Sequence, residues 1–136
     1  MRRIITFMAM MLIASSAYAD IHEFKYFSLD VPEGWTSEES GAVVRVKADD
    51  DSGSLVIMTD IPEGKSLADI ATNYALEFGG SIPEKDDEGN YTFEFNNGRS
   101  QAIVTGDEEF YMIIVGNGIE NNGEVLGAIL ESLEMK

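Results

Sequence analysis

SLVIMTDIPEGKSLADIATNYALEFGG, residues 54–80, contains the patterns of a strand, a turn and a helix in that order. Its first six residues include four consecutive apolar side chains, which favours a central strand that is covered on both faces. Ser66 is a natural N-cap with Asp69 three residues later, and Gly79-Gly80 ends the helical pattern. The stretch predicts a helix over 67–78, because apolar residues recur with the helical period at Leu67, Ile70, Ala71, Tyr74, Ala75 and Phe78.

Outside this stretch the pattern is mostly that of strands. Alternating apolar and polar residues predict strands over 24–31, 43–48, 90–95 and 99–105, and a second continuous apolar run predicts a central strand over 110–115. Asn97-Gly98 is the dipeptide typical of a type I′ hairpin turn. The remaining elements that we expect are a polar loop over 32–41, a short strand near 81–85, and a second helix over 121–133 with Asn121 and Glu124 at capping-box spacing.

This element order predicts an α+β fold. Hairpins dominate, so we expect a mainly antiparallel sheet of about six to seven strands with two helices. The two central strands need cover on both faces, and one helix on each face provides it. The expected architecture is therefore an α/β/α-like sandwich formed by a single domain over residues 20–136.

Residues 1–19 have the pattern of a secretory signal peptide. Arg2 and Arg3 precede an uncharged apolar run, and Ala17-Tyr18-Ala19 is a small-x-small cleavage site. No later stretch approaches the about 20 apolar residues that span a bilayer, so we expect no membrane insertion. The sequence predicts a periplasmic or secreted protein, and an exported domain of this size can form a core without the cysteines that this chain lacks.

The charge is strongly negative. Two of the nine bases lie in residues 1–19, so residues 20–136 carry seven bases against 25 acids, a net charge of −18. A field of this sign repels nucleic acid and anionic lipid headgroups, so no nucleic-acid partner is expected. It favours a basic envelope protein or cations as partners, or else it serves solubility alone. We expect a monomer.

The acidic residues cluster in turns, and the predicted strand order places several turns at one end of the sheet. The turns at 84–89 and 105–109 and the loop at 32–41 are expected at one end, and the turn at 49–53 at the other. Trp35, the only tryptophan, lies in that loop; it packs over a sheet edge as core or else contacts a partner. The candidate partner-binding residues are Glu33, Trp35, Glu38, Glu39, Asp86, Asp87, Asp107 and Glu108.

The turn DDDSGS, residues 49–54, is a candidate calcium site. Ca²⁺ takes several oxygen ligands, and Asp49, Asp50 and Asp51 supply carboxylates beside a serine and a glycine. The spacing is not that of an EF-hand. The alternative is a solvated turn, since Asp, Ser and Gly are turn residues in their own right.

Catalysis is not expected. The chain has no cysteine and a single histidine, His22, near the predicted mature terminus, which is expected to be mobile, whereas a triad needs an immobile base. One imidazole and no thiolate also make a zinc site of the usual kind unavailable. A small hydrolase with two facing carboxylates stays as a minor alternative, and it requires a concave pocket that contains both acids.

FSLDVPEGW, residues 27–35, resembles the opening of PsbP-like and DcrB-like domains, in which an aromatic-led strand ends in P-x-G-W. The later helix that begins with Ser-Leu, the aromatic hairpin and the final ILESLE (129–134) extend the resemblance over most of residues 23–134. The resemblance implies an antiparallel sheet flanked by helices and a non-enzymatic role. Known members include an extrinsic photosystem II subunit, envelope proteins and a nuclear-import factor. We therefore expect an exported binding or accessory protein, with an acidic cation-binding module as the alternative.

Overall fold

The computed structural model describes residues 19–136, so the predicted signal peptide lies outside the described part except for Ala19. The helices are α1 (Leu67–Phe78) and α2 (Ile119–Glu131). The strands, in chain order, are β1 (Ala19–Glu23), β2 (Phe27–Pro32), β3 (Trp35–Ser40), β4 (Val43–Ala48), β5 (Ser54–Asp60), β6 (Glu84–Lys85), β7 (Tyr91–Phe95), β8 (Ser100–Gly106), β9 (Tyr111–Asn117) and β10 (Glu134–Met135).

Seven of these strands form the main sheet, in the order β3-β4-β5-β9-β8-β7-β6, and all neighbours are antiparallel. A second, three-stranded sheet has the order β1-β2-β10. The predicted α+β fold with a mainly antiparallel sheet is confirmed. The main sheet has seven strands, against the six to seven that were expected. The small sheet was not expected.

The main sheet has a separate core on each face. On one face, Leu55 and Ile57 of β5 pack with Leu29 of β2 and with Leu126 and Ile129 of α2. On the other face, the buried residues of β7, β8 and β9 pack against α1 through Ile70, Ala71 and Ala75. One helix therefore covers each face as predicted, and the small sheet shares the first face with α2. We call the two faces the α2 face and the α1 face.

Helix α1 has the bounds that the sequence predicted because both of its ends are fixed locally. The Ser66 side chain accepts a hydrogen bond from the backbone N–H of Asp69 at 3.1 Å, which satisfies one of the free donors of the first turn. Gly79 ends the helix in the left-handed conformation with φ +69°. No helix within residues 19–136 is long and apolar enough to cross a membrane.

Four local predictions were wrong or incomplete. The expected strand over 24–31 is β2 alone, which begins only at Phe27 after a bend, and strand β1 before it was not predicted. The expected loop over 32–41 contains β3, an edge strand that was not predicted because its sequence is mostly polar. Helix α2 begins at Ile119 rather than 121, with Gly118 as its N-cap. Asn97 and Gly98 both have the positive φ that a type I′ turn needs, +58° and +79°, but Asn96 also has positive φ and strand pairing ends at Phe95–Ser100, so the loop is longer than two residues.

Candidate functional site

The end of the main sheet at which β5 finishes, here called the upper end, carries three acidic loops. Asp60 pairs with Tyr111, and Tyr111 pairs with Gly106, so β5, β9 and β8 meet there. The turn after β6 is at the same end, since Lys85 pairs with Tyr91. The predicted grouping of the 84–89 and 105–109 turns at one end is therefore confirmed. The acidic end comprises Asp60, Glu63, Asp86, Asp87, Glu88, Asp107, Glu108 and Glu109.

Two of these acids build the turns in which they lie. Asp86 Oδ1 accepts the backbone N–H groups of Glu88 and Asn90, both at 2.9 Å. Asp107 Oδ1 accepts those of Glu109 at 2.8 Å and Phe110 at 3.2 Å. These are the side-chain turns for which aspartate is favoured. Asp86 and Asp107 therefore position the exposed Asp87 and Glu108 beside them, a division of roles that the sequence did not indicate.

The structure places Trp35 and Glu33 at the opposite, lower end, so their predicted grouping with the acidic turns was wrong. Trp35 pairs with Ala48 of β4, and its half-buried side chain packs against the core of the α2 face. Glu38 of β3 lies 4.0 Å from Arg45, and Glu39 accepts the backbone N–H of Lys25 at 2.8 Å. These positions favour the interpretation of Trp35 as core.

The predicted calcium ligands do not form a metal site in the described part of the chain. Asp50 accepts hydrogen bonds from the Ser52 hydroxyl at 2.6 Å and from the Ser52 backbone N–H at 3.0 Å, and these bonds lower the pKa of its carboxyl. Asp51 forms an ion pair with Lys47 at 3.0 Å. Within residues 19–136, no group of three or more His, Asp or Glu side chains could hold a metal ion. The solvated-turn interpretation of 49–53 is the one that fits.

His22 is held in a strand, contrary to the expected mobile terminus. It pairs with Leu29 across β1 and β2, and its Nδ1 lies 2.5 Å from Ser37 Oγ, which joins the small sheet to the main one. A catalytic triad also needs a carboxylate that orients the base. Among the described residues, no carboxylate forms a hydrogen bond with the His22 ring.

A cleft at the acidic end was not predicted. It has a volume of about 230 Å³ and lies on the α1 face, between helix α1 and the loop that follows β5. The helix contributes Asn73, Tyr74 and Glu77 to its wall, and Tyr111 of β9 lies at its base. The loop contributes Asp60, Ile61, Pro62, Glu63 and Lys65.

Two tyrosine hydroxyls form a hydrogen bond inside this cleft. The Oη atoms of Tyr74 and Tyr111 are 3.2 Å apart, and the two rings are tilted with centroids 6.4 Å apart. Only one hydroxyl proton can lie in that bond, so the other hydroxyl still has a proton to donate. Within the described residues, neither hydroxyl has a second protein partner. The cleft therefore offers an unused donor and unused phenol lone pairs to a ligand.

The buried hydroxyl is the one on Tyr111, a residue that is only 7% exposed. Burial, then the hydrogen bond to Tyr74 and the negative charges of Asp60 and Glu63, raise the pKa of this hydroxyl well above its usual range. Tyr111 therefore stays protonated, and remains a hydrogen-bonding group, over the whole range in which proteins work.

This raised pKa predicts an alkaline loss of stability. The contribution of Tyr111 is fully present below the unfolded-state pKa of about 10 and is lost as the pH rises above it, because the unfolded state releases its proton first. We expect the free energy of unfolding, measured with urea from pH 8 to 11, to fall less steeply in Tyr111→Phe than in the wild type. Tyr26→Phe, outside the cleft, is the control. Equal slopes in the two variants would contradict the prediction.

A second cavity, of about 380 Å³, lies on the other side of the sheet. Thr92 and Glu94 of β7 and Gln101 and Ile103 of β8 line it, beside the exposed Ile82. Helix α2 and the small sheet leave this half of the α2 face open. Its lining contains no buried ionisable group that could select a ligand by charge.

The cleft had little signal in the sequence. Tyr74 falls on the apolar stripe of α1, and Tyr111 falls within the continuous apolar run of β9, so both read as core residues. They are 37 positions apart, and only the packing of α1 across β9 brings their hydroxyls together. The one available signal was the TDIPEGK segment (59–65), whose acids and proline turn border the cleft.

Comparison with known proteins identifies no family. No protein-family model and no curated protein matches the chain. Solved structures do match, among them a crystal structure of a protein from Bacteroides thetaiotaomicron VPI-5482 that is 16% identical, with a TM-score of 0.48. The alignment covers 88% of this chain and 48% of that one, so the chain spans about half the length of this match. This similarity is too low to assign an activity.

Proposed function

We propose that the protein is an exported, non-enzymatic binding or accessory module that contacts a basic partner protein through its acidic end. The observation that carries the proposal is the placement of three acidic loops, at 60–63, 86–88 and 107–109, at one end of the main sheet. Strands β5 and β6 are separated by four strand spacings, about 19 Å, so the loops form a continuous edge rather than scattered charges.

The net charge supports the choice of partner. Like-charged loops at one end of a protein attract a basic surface over several ångströms and direct its approach. Exposed carboxylates such as Asp87 and Glu108 can reach such a surface without losing an existing partner in the turn. Export remains a proposal that rests on the pattern of residues 1–19, and membership of the PsbP-like and DcrB-like group rests on the 27–35 motif.

The hydrolase alternative has one supporting feature, since Asp60, Glu63 and Glu77 line the same cleft. A glycosidase acid must sit in apolar surroundings that keep it protonated near neutral pH. All three side chains are exposed, and the cleft is smaller than the roughly 300–1,000 Å³ typical of ligand sites. A binding role accounts better for exposed carboxylates.

Binding to a short poly-lysine peptide tests the proposal, with two double variants that remove the same charge. Asp87→Asn with Glu108→Gln changes the acidic end, and Asp49→Asn with Glu33→Gln changes the lower end. By calorimetry at low ionic strength, we expect the first pair to weaken binding about five-fold, since an exposed ion pair contributes roughly 0.2–1 kcal/mol. The lower-end pair should have a smaller effect.

Equal losses in the two double variants would mean that binding depends on net charge rather than on the acidic end. The same samples address the cation-binding alternative. If millimolar Ca²⁺ leaves the wild-type melting temperature unchanged, that alternative is excluded, whereas an increase that the acidic-end variant abolishes would support it over the basic partner.

A further inference from the structure

We propose that the cleft between α1 and the loop after β5 binds one arginine side chain of the basic partner. This inference rests on the proposed function and adds to it the group that is recognised. The acidic end then has two parts: exposed turns that attract a basic surface, and a cleft, with Tyr111 at its base, that fixes one residue of it.

The size of the cleft fits a single side chain. At about 230 Å³ it is below the usual range for small-molecule sites, yet it extends inward as far as the buried side chains of Ile70 and Tyr111. Interfaces are commonly anchored by one side chain of the partner in such a pocket, surrounded by contacts of smaller energy.

The charge in the cleft selects a cation. Asp60, Glu63 and Glu77 line it, against Lys65 as the one base in its wall. A guanidinium has five N–H donors and no acceptor, so carboxylates on several sides can be used together. The same three carboxylates would repel an anionic ligand.

The tyrosine pair favours arginine over lysine. Guanidinium is planar, stacks on aromatic faces and is more weakly hydrated than an ammonium. It therefore loses less hydration free energy when it enters a partly desolvated site. A phenol oxygen of the pair can accept from the guanidinium. The hydroxyl proton that is not used between Tyr74 and Tyr111 can be donated to the main-chain carbonyl of the same partner residue.

Three capped tripeptides with the same flanking glycines test this recognition: one with arginine, one with lysine, and one with citrulline, the neutral isostere of arginine. Binding to the ¹⁵N-labelled protein is followed by amide chemical shifts. We expect the arginine peptide to bind about two- to five-fold more tightly than the lysine peptide, the effect of one exposed cation–π contact, and citrulline to bind most weakly. The shifts should concentrate at Ile61, Asn73 and Tyr74.

Single-charge variants localise the effect. Glu77→Gln should weaken binding of the arginine peptide by about two- to five-fold, and Glu33→Gln at the lower end should not. Tyr74→Phe keeps the ring and removes one hydroxyl, so it should reduce affinity while leaving arginine preferred over lysine. None of the three substitutions alters a fully buried residue, so all three variants are expected to fold.

The outcomes separate this inference from the proposed function. If poly-lysine binds at the acidic end but arginine and lysine tripeptides bind equally, or the cleft amides do not shift, the cleft does not recognise arginine. If Glu77→Gln and Glu33→Gln have the same effect, the attraction is long-range and again not a property of the cleft. If neither poly-lysine nor the arginine peptide binds, both proposals fail.

Discussion

Gly118→Ala is expected to lower the free energy of unfolding by about 2–5 kcal/mol, the combined cost of a strained backbone and a steric clash. Gly118 has φ +74°, a conformation that disfavours any side chain. A Cβ built there would lie 2.2 Å from the Ser52 backbone oxygen and 3.0 Å from the Gly53 Cα. Both neighbours are backbone atoms, so relief would require moving the turn between β4 and β5.

Gly79→Ala is a closely matched control. Gly79 has φ +69° and ψ +35°, against +74° and +33° at Gly118, so the two substitutions carry similar strain. Nothing lies within 4 Å of a Cβ at Gly79. We expect urea unfolding to show a loss of about 1–2 kcal/mol for Gly79→Ala, from strain alone. Equal losses at the two sites would show that the contact with Ser52 is not a packing constraint.

The close approach at Gly118 also explains why the second helix was misplaced. The sequence offered Asn121 as the N-cap, because its spacing to Glu124 fits a capping box. In the structure the helix begins two residues earlier, and Asn122 has non-helical dihedral angles. The Asn122 side chain instead donates to the Ser52 backbone oxygen at 3.0 Å, across 70 residues. A contact between residues so far apart in the chain overrides the local capping pattern, and a short stretch of sequence does not reveal it.

Local signals succeeded where no such contact competes. Helix α1 has both of its bounds as predicted, since Ser66 and Gly79 fix its ends through bonds within the helix itself. The central strands β5 and β9 were predicted from continuous apolar runs, and each does contribute residues to both cores. Strand β3 was missed because only Trp35 among its six residues is apolar, and an edge strand needs few apolar side chains.

That one missed strand also explains the error at the candidate site. With 32–41 treated as a loop, the chain was expected to remain at one end of the sheet until β4. Strand β3 instead crosses the sheet, from Trp35 opposite Ala48 to Ser40 opposite Val43. Trp35 is thereby moved to the lower end, while the turns at 86–90 and 107–110 keep their predicted end. Missing one strand therefore misplaced Trp35 and Glu33 but left the positions of the two acidic turns correct.

Ile113→Ala is expected to lower the free energy of unfolding by about 2–5 kcal/mol, the usual cost of truncating a fully buried isoleucine. Ile113 is 0% exposed and lies at the centre of the core on the α1 face. Unfolding in urea would be followed by far-ultraviolet circular dichroism and by the fluorescence of Trp35. The control is Ile82→Ala, whose side chain is 86% exposed and should contribute within about 0.5 kcal/mol.

The fluorescence signal makes this a test of the predicted single domain. Trp35 packs against the other core, on the α2 face, and has no part in the cluster around Ile113. Strands β5 and β9 contribute to both cores, so loosening one should destabilise the other through the shared sheet. Both probes should therefore report the same lower midpoint. If the Trp35 transition kept its wild-type midpoint while the dichroism signal shifted, the two cores would unfold independently, and residues 20–136 would not be one cooperative domain.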